Sequence, residues 1–116
     1  MRGQPKLQER LESADEILLS ATMLGEVYAG FHGGNRIEEN LSLLAAFRRQ
    51  PGVAIIDTTD NVAQRYSTIV AILKRQGTPI PTNDIWIAAA ALENGGRMVA
   101  YDSHFDAVPG LIVEAP

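Results

Sequence analysis

The chain has no cysteine. That excludes disulfide bridges, thiolate metal sites and a thiol nucleophile. It also lacks any apolar run near the ~20 residues a membrane span requires, so no membrane association is expected. The opening stretch, MRGQPKLQERLESADE, is polar and charged, which is not the pattern of a secretory signal. A cytoplasmic location fits these absences. Basic residues are not in excess either: the net charge is −4, and the ten cations are eight Arg and two Lys, scattered along the chain. The only local pairs, Arg48–Arg49 and Lys74–Arg75, read as helix ends, where cations suit the dipole. Broad electrostatic adhesion to nucleic acid is thereby excluded, since it depends on neutralising phosphates with Lys and Arg. A nucleic-acid enzyme whose acidic site is first neutralised by cations is not.

What is present fits one soluble domain spanning residues 1–116. The apolar fraction is 46% and the charged fraction 21%, ordinary values for a globular protein with one core. Gln4 to Ala14 reads as a short amphipathic helix, with Leu7 and Leu11 one turn apart. Ile17–Leu19 suits a buried strand. Leu24, Val27, Tyr28 and Phe31 recur at helical spacing until Gly33–Gly34 stops the helix. Asn35 is placed to cap the next helix, with Ile37, Leu41, Leu44 and Phe47 on one side and Pro51–Gly52 at its end. Val53–Ile56 is a second strand. Asp60 would cap a helix whose inner face carries Val62, Tyr66, Ile69, Val70 and Leu73, broken by Gly77 and Pro79. Asn83 to Glu93 is the next helix, capped by Thr82 or Asn83. Met98–Tyr101 and Leu111–Val113 are the remaining strands. Helices alternate with strands that are apolar on both faces. The pattern predicts an α/β fold, a three-layer α/β/α sandwich with a mainly parallel sheet.

Sites in such sheets form beyond the carboxyl ends of strands, beside helix N-termini. Three acids fall in or near such places. Glu26 lies early in the helix after Ile17–Leu19, Asp84 opens its helix, and Asp102 follows the strand Met98–Tyr101. Each has a plain explanation when taken alone. Glu26 sits about 200° from Leu24 on a helix of ~3.6 residues per turn, so it can simply face water. Asp84 can be a carboxylate at a positive helix end, and Asp102 a turn residue. Taken together they repel, and a divalent cation relieves the repulsion. Carboxylate oxygens favour Mg²⁺ or Mn²⁺, and such a site does metal-assisted phosphodiester hydrolysis. His104, two residues after Asp102, stands where metal binding or general acid–base work is one reading, and a turn residue beside the core anchor Phe105 is the plainer one. His32 reads as a helix C-terminal residue, and Trp86 as a core or dimer contact. Arg36 and Arg65 are candidates for RNA phosphate that position alone does not rank.

Three strings then carry a resemblance. SATMLGEVYAGF resembles the Glu-bearing helix of PIN-domain ribonucleases of the VapC toxin type. GTPIPTNDIWIAAAALENG resembles the segment with their third acid, and VAYDSHFDAVPGLIVE their last strand and acidic turn. The resemblance runs from about Arg10 to Val113. It implies a PIN-like fold and a Mg²⁺- or Mn²⁺-dependent endoribonuclease, the toxin of a toxin–antitoxin pair. Such a toxin acts on RNA, forms a homodimer and is silenced by a VapB-type antitoxin. By position, Glu26, Asp84 and Asp102 match the family's second, third and fourth acids, with Asp106 a weaker candidate near the fourth.

Two departures stand out. The family's first acid ends an N-terminal strand, and no such strand or motif is visible before Gln4. Ala100 stands where many relatives carry Thr or Ser. The first strand is therefore read as lacking and the nuclease as impaired. The alternative is an inactive PIN-like module that binds an antitoxin or dimerises. A flavodoxin-like receiver ranks lower, because its acids or phosphate loop after the first strand are not visible. Unpaired backbone groups beside a lost central strand cost ~1–3 kcal/mol each when buried. The 116-residue chain is accordingly expected to be less stable than a version extended upstream, unless rearrangement or dimerisation closes its sheet. Chemical denaturation of the two measures this, and equal midpoints and slopes count against it.

Overall fold

The computed structural model describes residues 16–100 and 102–115. The helix expected over Gln4–Ala14 lies outside them, as does Tyr101. The elements run β1 (Ile17–Ser20), α1 (Ala21–His32), α2 (Ile37–Arg48), β2 (Val53–Ile56), α3 (Asp60–Gln76), α4 (Thr82–Glu93), β3 (Arg97–Val99), a 3-10 helix (Ser103–Ala107) and β4 (Ile112–Glu114). This is the expected α/β alternation. All strand pairing among the described residues is parallel: β1 with β2, Ile17 opposite Val53, and β3 with β4, Arg97 opposite Ile112. None of the described helices is long and apolar enough to cross a membrane.

The core forms where α3 meets α4. Val62, Ile69 and Leu73 of α3 are buried against Ile85, Ala88, Ala89 and Ala90 of α4, and Phe105 and Val108 complete the cluster. The spacing of the α3 residues is the helical period that marks one face. On α4 the buried side chains are small. Ala88 and Ala89 are 0% exposed, so the two helices close on each other with little side chain between them. Trp86 flanks the cluster and stacks on Tyr66, with ring centroids 3.9 Å apart and planes 12° from parallel. By contrast α2 buries no residue, and Leu43 is 62% exposed. Its tie to α1 includes a hydrogen bond of 2.8 Å donated by the Arg48 guanidinium to the Tyr28 hydroxyl.

Helix starts differ from the sequence-based expectation at three places. The second helix begins at Ile37 with Arg36 in the cap position and no side-chain cap. Asn35 is one residue too early to reach the first free N–H groups. On α3 the cap is Thr59, whose Oγ1 accepts from the Val62 N–H at 3.3 Å. Asp60 is instead a first-turn acid accepting from Gln64 Nε2 at 2.6 Å. On α4 neither Thr82 nor Asn83 caps, because Pro81 holds the cap position. The last strands are also displaced by about one residue from Met98–Tyr101 and Leu111–Val113.

Helix α3 ends in a Schellman motif. Gly77 takes the left-handed conformation at φ 69°. Its N–H bonds the Lys74 carbonyl at 3.3 Å, and the Thr78 N–H bonds the Leu73 carbonyl at 3.1 Å. Gly25, inside α1, has ordinary helical backbone and open space where a Cβ would stand. Adding a methyl should therefore act with opposite sign at the two positions. Gly77→Ala is expected to lower unfolding free energy by about 1–2 kcal/mol. Gly25→Ala is expected to raise it by about 0.5–1 kcal/mol. Urea titrations of the two variants read both.

Candidate metal centre

Asp84 enters the site from the first turn of α4. Pro79 and Pro81 hold the approach extended, and each restricts the residue before it. The helix then starts abruptly, and its buried alanine face fixes its rotation. Asp84 is left at the positive end of the helix dipole. Asp102 comes from the other side of the core, where it caps the 3-10 helix. Its Oδ1 accepts from the His104 N–H at 2.9 Å, the turn role that the sequence suggests for an Asp before Ser. Phe105 is buried and pins this short helix to the core.

These two anchors bring Asp84 and Asp102 to the same imidazole nitrogen. His104 Nδ1 lies 3.0 Å from Asp84 Oδ2 and 3.2 Å from Asp102 Oδ2. One ligand-capable atom from each of the three residues lies within 4.8 Å of the others. The Asp84 side chain is 18% exposed and that of His104 45%, so the group opens to solvent on one side while Asp84 backs into the protein. The donor set suits a divalent cation: two carboxylates supply hard oxygens and negative charge, and the open side leaves room for water or substrate.

Of the acids singled out in the sequence, the structure thus joins two. Glu26 is exposed on α1 and stands outside the three-residue group, although α1 packs against α4. Asp106 is exposed on the 3-10 helix and is likewise outside it. His104 belongs to the group, contrary to its plainer reading as a turn residue. Only a contact across twenty residues reveals it, although its place between a capping Asp and a buried Phe was a usable signal. Arg65 pairs with Glu93 and Arg36 with Glu39, away from the acids.

The PIN domain family model matches residues 2–111. The chain belongs to the PIN domain family. Ribonuclease VapC1 of Haemophilus influenzae strain R2866 is 24% identical over 106 residues, covering 88% of this chain and 78% of the relative. Among solved structures, VapBC2 from Rickettsia felis, bound to a promoter DNA fragment, superposes with a TM-score of 0.83 at 26% identity. The match covers 99% of this chain and 86% of that one. DNA-bound VapBC from Salmonella typhimurium gives 0.84 at 26% identity, over 94% of this chain and 83% of that one. As a PIN domain, the chain has the α/β alternation and the parallel strand pairing that its sequence leads one to expect.

The site depends on Phe105 holding the 3-10 helix down. Phe105→Ala is expected to cost about 3–5 kcal/mol of unfolding free energy. Asp106→Ala, exposed on the same helix, should stay within about 0.5 kcal/mol of the parent. Denaturant melts of the pair check the contrast.

Proposed function

We propose that this PIN domain is an endoribonuclease of the VapC toxin type that hydrolyses RNA phosphodiesters with Mg²⁺ or Mn²⁺. The observation that carries the reading is the approach of Asp84 and Asp102, from different elements, to one imidazole nitrogen, Nδ1 of His104. Their carboxylates would hold the cation, with Glu26 as the third acid by its place in the family pattern. A bound divalent cation supplies charge neutralisation at the scissile phosphate and lowers the pKa of a bound water. The protein's own part is to keep two negative groups in fixed positions before substrate arrives. Asp102 is held by its backbone hydrogen bond and Asp84 by the helix that carries it. Preorganisation of this kind avoids reorganising the site during reaction.

The partner side of the reading rests on α2. The similar structures named above are VapBC assemblies, and in this chain α2 leaves Leu41 and Leu43 exposed among the large apolar residues. A VapB-type antitoxin, on a homodimeric toxin, would cover exposed apolar side chains of α2, chiefly Leu43, which stands about 200° round the helix from Leu41. A second reading, a module that binds antitoxin without cleaving, is favoured by Glu26 standing outside the acid group. Purified protein incubated with RNA and Mn²⁺ separates the two. Cleavage is expected, and Asp84→Asn should lower it at least a hundredfold. Undiminished cleavage by Asp84→Asn removes that residue from the site, and no cleavage by the parent chain selects the binding module.

A further inference from the structure

We infer that His104 is a ligand of the cation through Nδ1, and that this nitrogen makes the site select transition-metal dications over Mg²⁺. The inference rests on the metal-site reading above and adds a donor that the acid pattern does not contain.

Three observations carry it. First, Nδ1 faces both carboxylates at once, 3.0 Å from Asp84 Oδ2 and 3.2 Å from Asp102 Oδ2. Adjacent donors in an octahedron with bonds of ~2.1 Å stand ~3 Å apart, so both separations already suit three ligands of one ion. Second, the two Asp102 oxygens are assigned different tasks. Oδ1 takes the His104 backbone N–H at 2.9 Å, which leaves Oδ2 on the side of the ring nitrogen. Third, the imidazole is carried by a backbone that is fixed twice, by the Asp102 cap and by buried Phe105 one residue on. A ring so held presents its donor without a large ordering cost.

The chemical consequence follows from donor type. Mg²⁺ is bound through carboxylates, phosphates and water, and gains little from an imidazole. First-row transition dications accept nitrogen readily, with affinity rising from Mn²⁺ through Co²⁺ to Ni²⁺. The Asp84–Asp102–His104 set is therefore a mixed nitrogen and oxygen site. Its preference for Mn²⁺ over Mg²⁺ comes from His104, while its total charge comes from the two acids.

The test uses MnCl₂ with the intact chain. Electron spin-echo measurements on bound Mn²⁺ are expected to show modulation from a coordinated ¹⁴N. That signal should vanish in His104→Ala and His104→Gln. Calorimetry should show Mn²⁺ affinity falling at least about tenfold in both variants, with Mg²⁺ affinity changing less than twofold. Thermal melts without metal establish that the variants fold. If wild-type protein binds Mn²⁺ without nitrogen modulation, and Asp84→Asn abolishes that binding, the metal centre stands and the role of His104 is overturned. An unchanged Mn²⁺ to Mg²⁺ affinity ratio in the His104 variants overturns it equally. If wild-type protein binds no Mn²⁺, or if Asp84→Asn binds it undiminished, the metal-site reading itself falls and the inference falls with it.

Discussion

The close approach of α3 and α4 is the constraint on which the rest of the structure depends. Small side chains favour it: Ala88 to Ala90 are all buried on α4, and since consecutive residues point about 100° apart, the helix is covered on several sides. A larger side chain at any of them would have to displace packed neighbours, and overpacking of that kind is costly. Helix α4 also touches β1, β3, α1 and the 3-10 helix. Fixing it against α3 therefore fixes the frame on which most other elements are hung. Asp84 is one turn from the buried face, so the same packing that makes the core also aims the acid.

Placing that acid creates a problem which the second anchor sharpens. Two carboxylates directed at one place repel, and the repulsion works against folding unless something positive intervenes. Here the helix dipole acts on Asp84, a backbone N–H acts on Asp102, and one imidazole nitrogen lies close to both. Each is a local and modest compensation. None neutralises the pair as a divalent cation would, which is why the arrangement suits a binding site better than a purely structural cluster. The parts that carry the acids are also the rigid ones, a helix in the core and a turn pinned by Phe105. A site that must hold charged groups at fixed separations is better built on such elements than on free loops.

Much of this was legible from residue order. The alternation of helices and apolar strands follows from hydrophobic period and from Gly and Pro punctuation. Those signals are local, which is why every described strand and α-helix lies near its expected place, while the 3-10 helix at Ser103–Ala107 was read only as a turn. The caps were less legible because several polar residues crowd each helix start, and a shift of one position changes which side chain reaches the free N–H groups. Thr59 beside Asp60, and Pro81 beside Thr82 and Asn83, are cases of this. Asp84 and Asp102 were visible as residues at helix and strand ends, but their meeting was an inference from topology. His104 was given the plainer reading for a physical reason. Its neighbours in sequence explain it adequately as a turn residue, and its approach to Asp84 is a contact with a helix twenty positions away.

The charge distribution bears on how such a protein would meet a polyanion. The chain carries a net −4, and several of its cations have partners within the fold. Arg65 pairs with Glu93, Arg97 with Glu114 and Arg36 with Glu39, while Arg48 holds the Tyr28 hydroxyl. Affinity for RNA through released counterions requires cations presented to phosphate, and these arginines are engaged elsewhere. Under the nuclease reading, a bound ion would add positive charge at the place that receives the phosphate. Loading the metal and admitting the substrate then become linked events, because the acids that repel RNA in the empty site are the groups that hold the ion which attracts it.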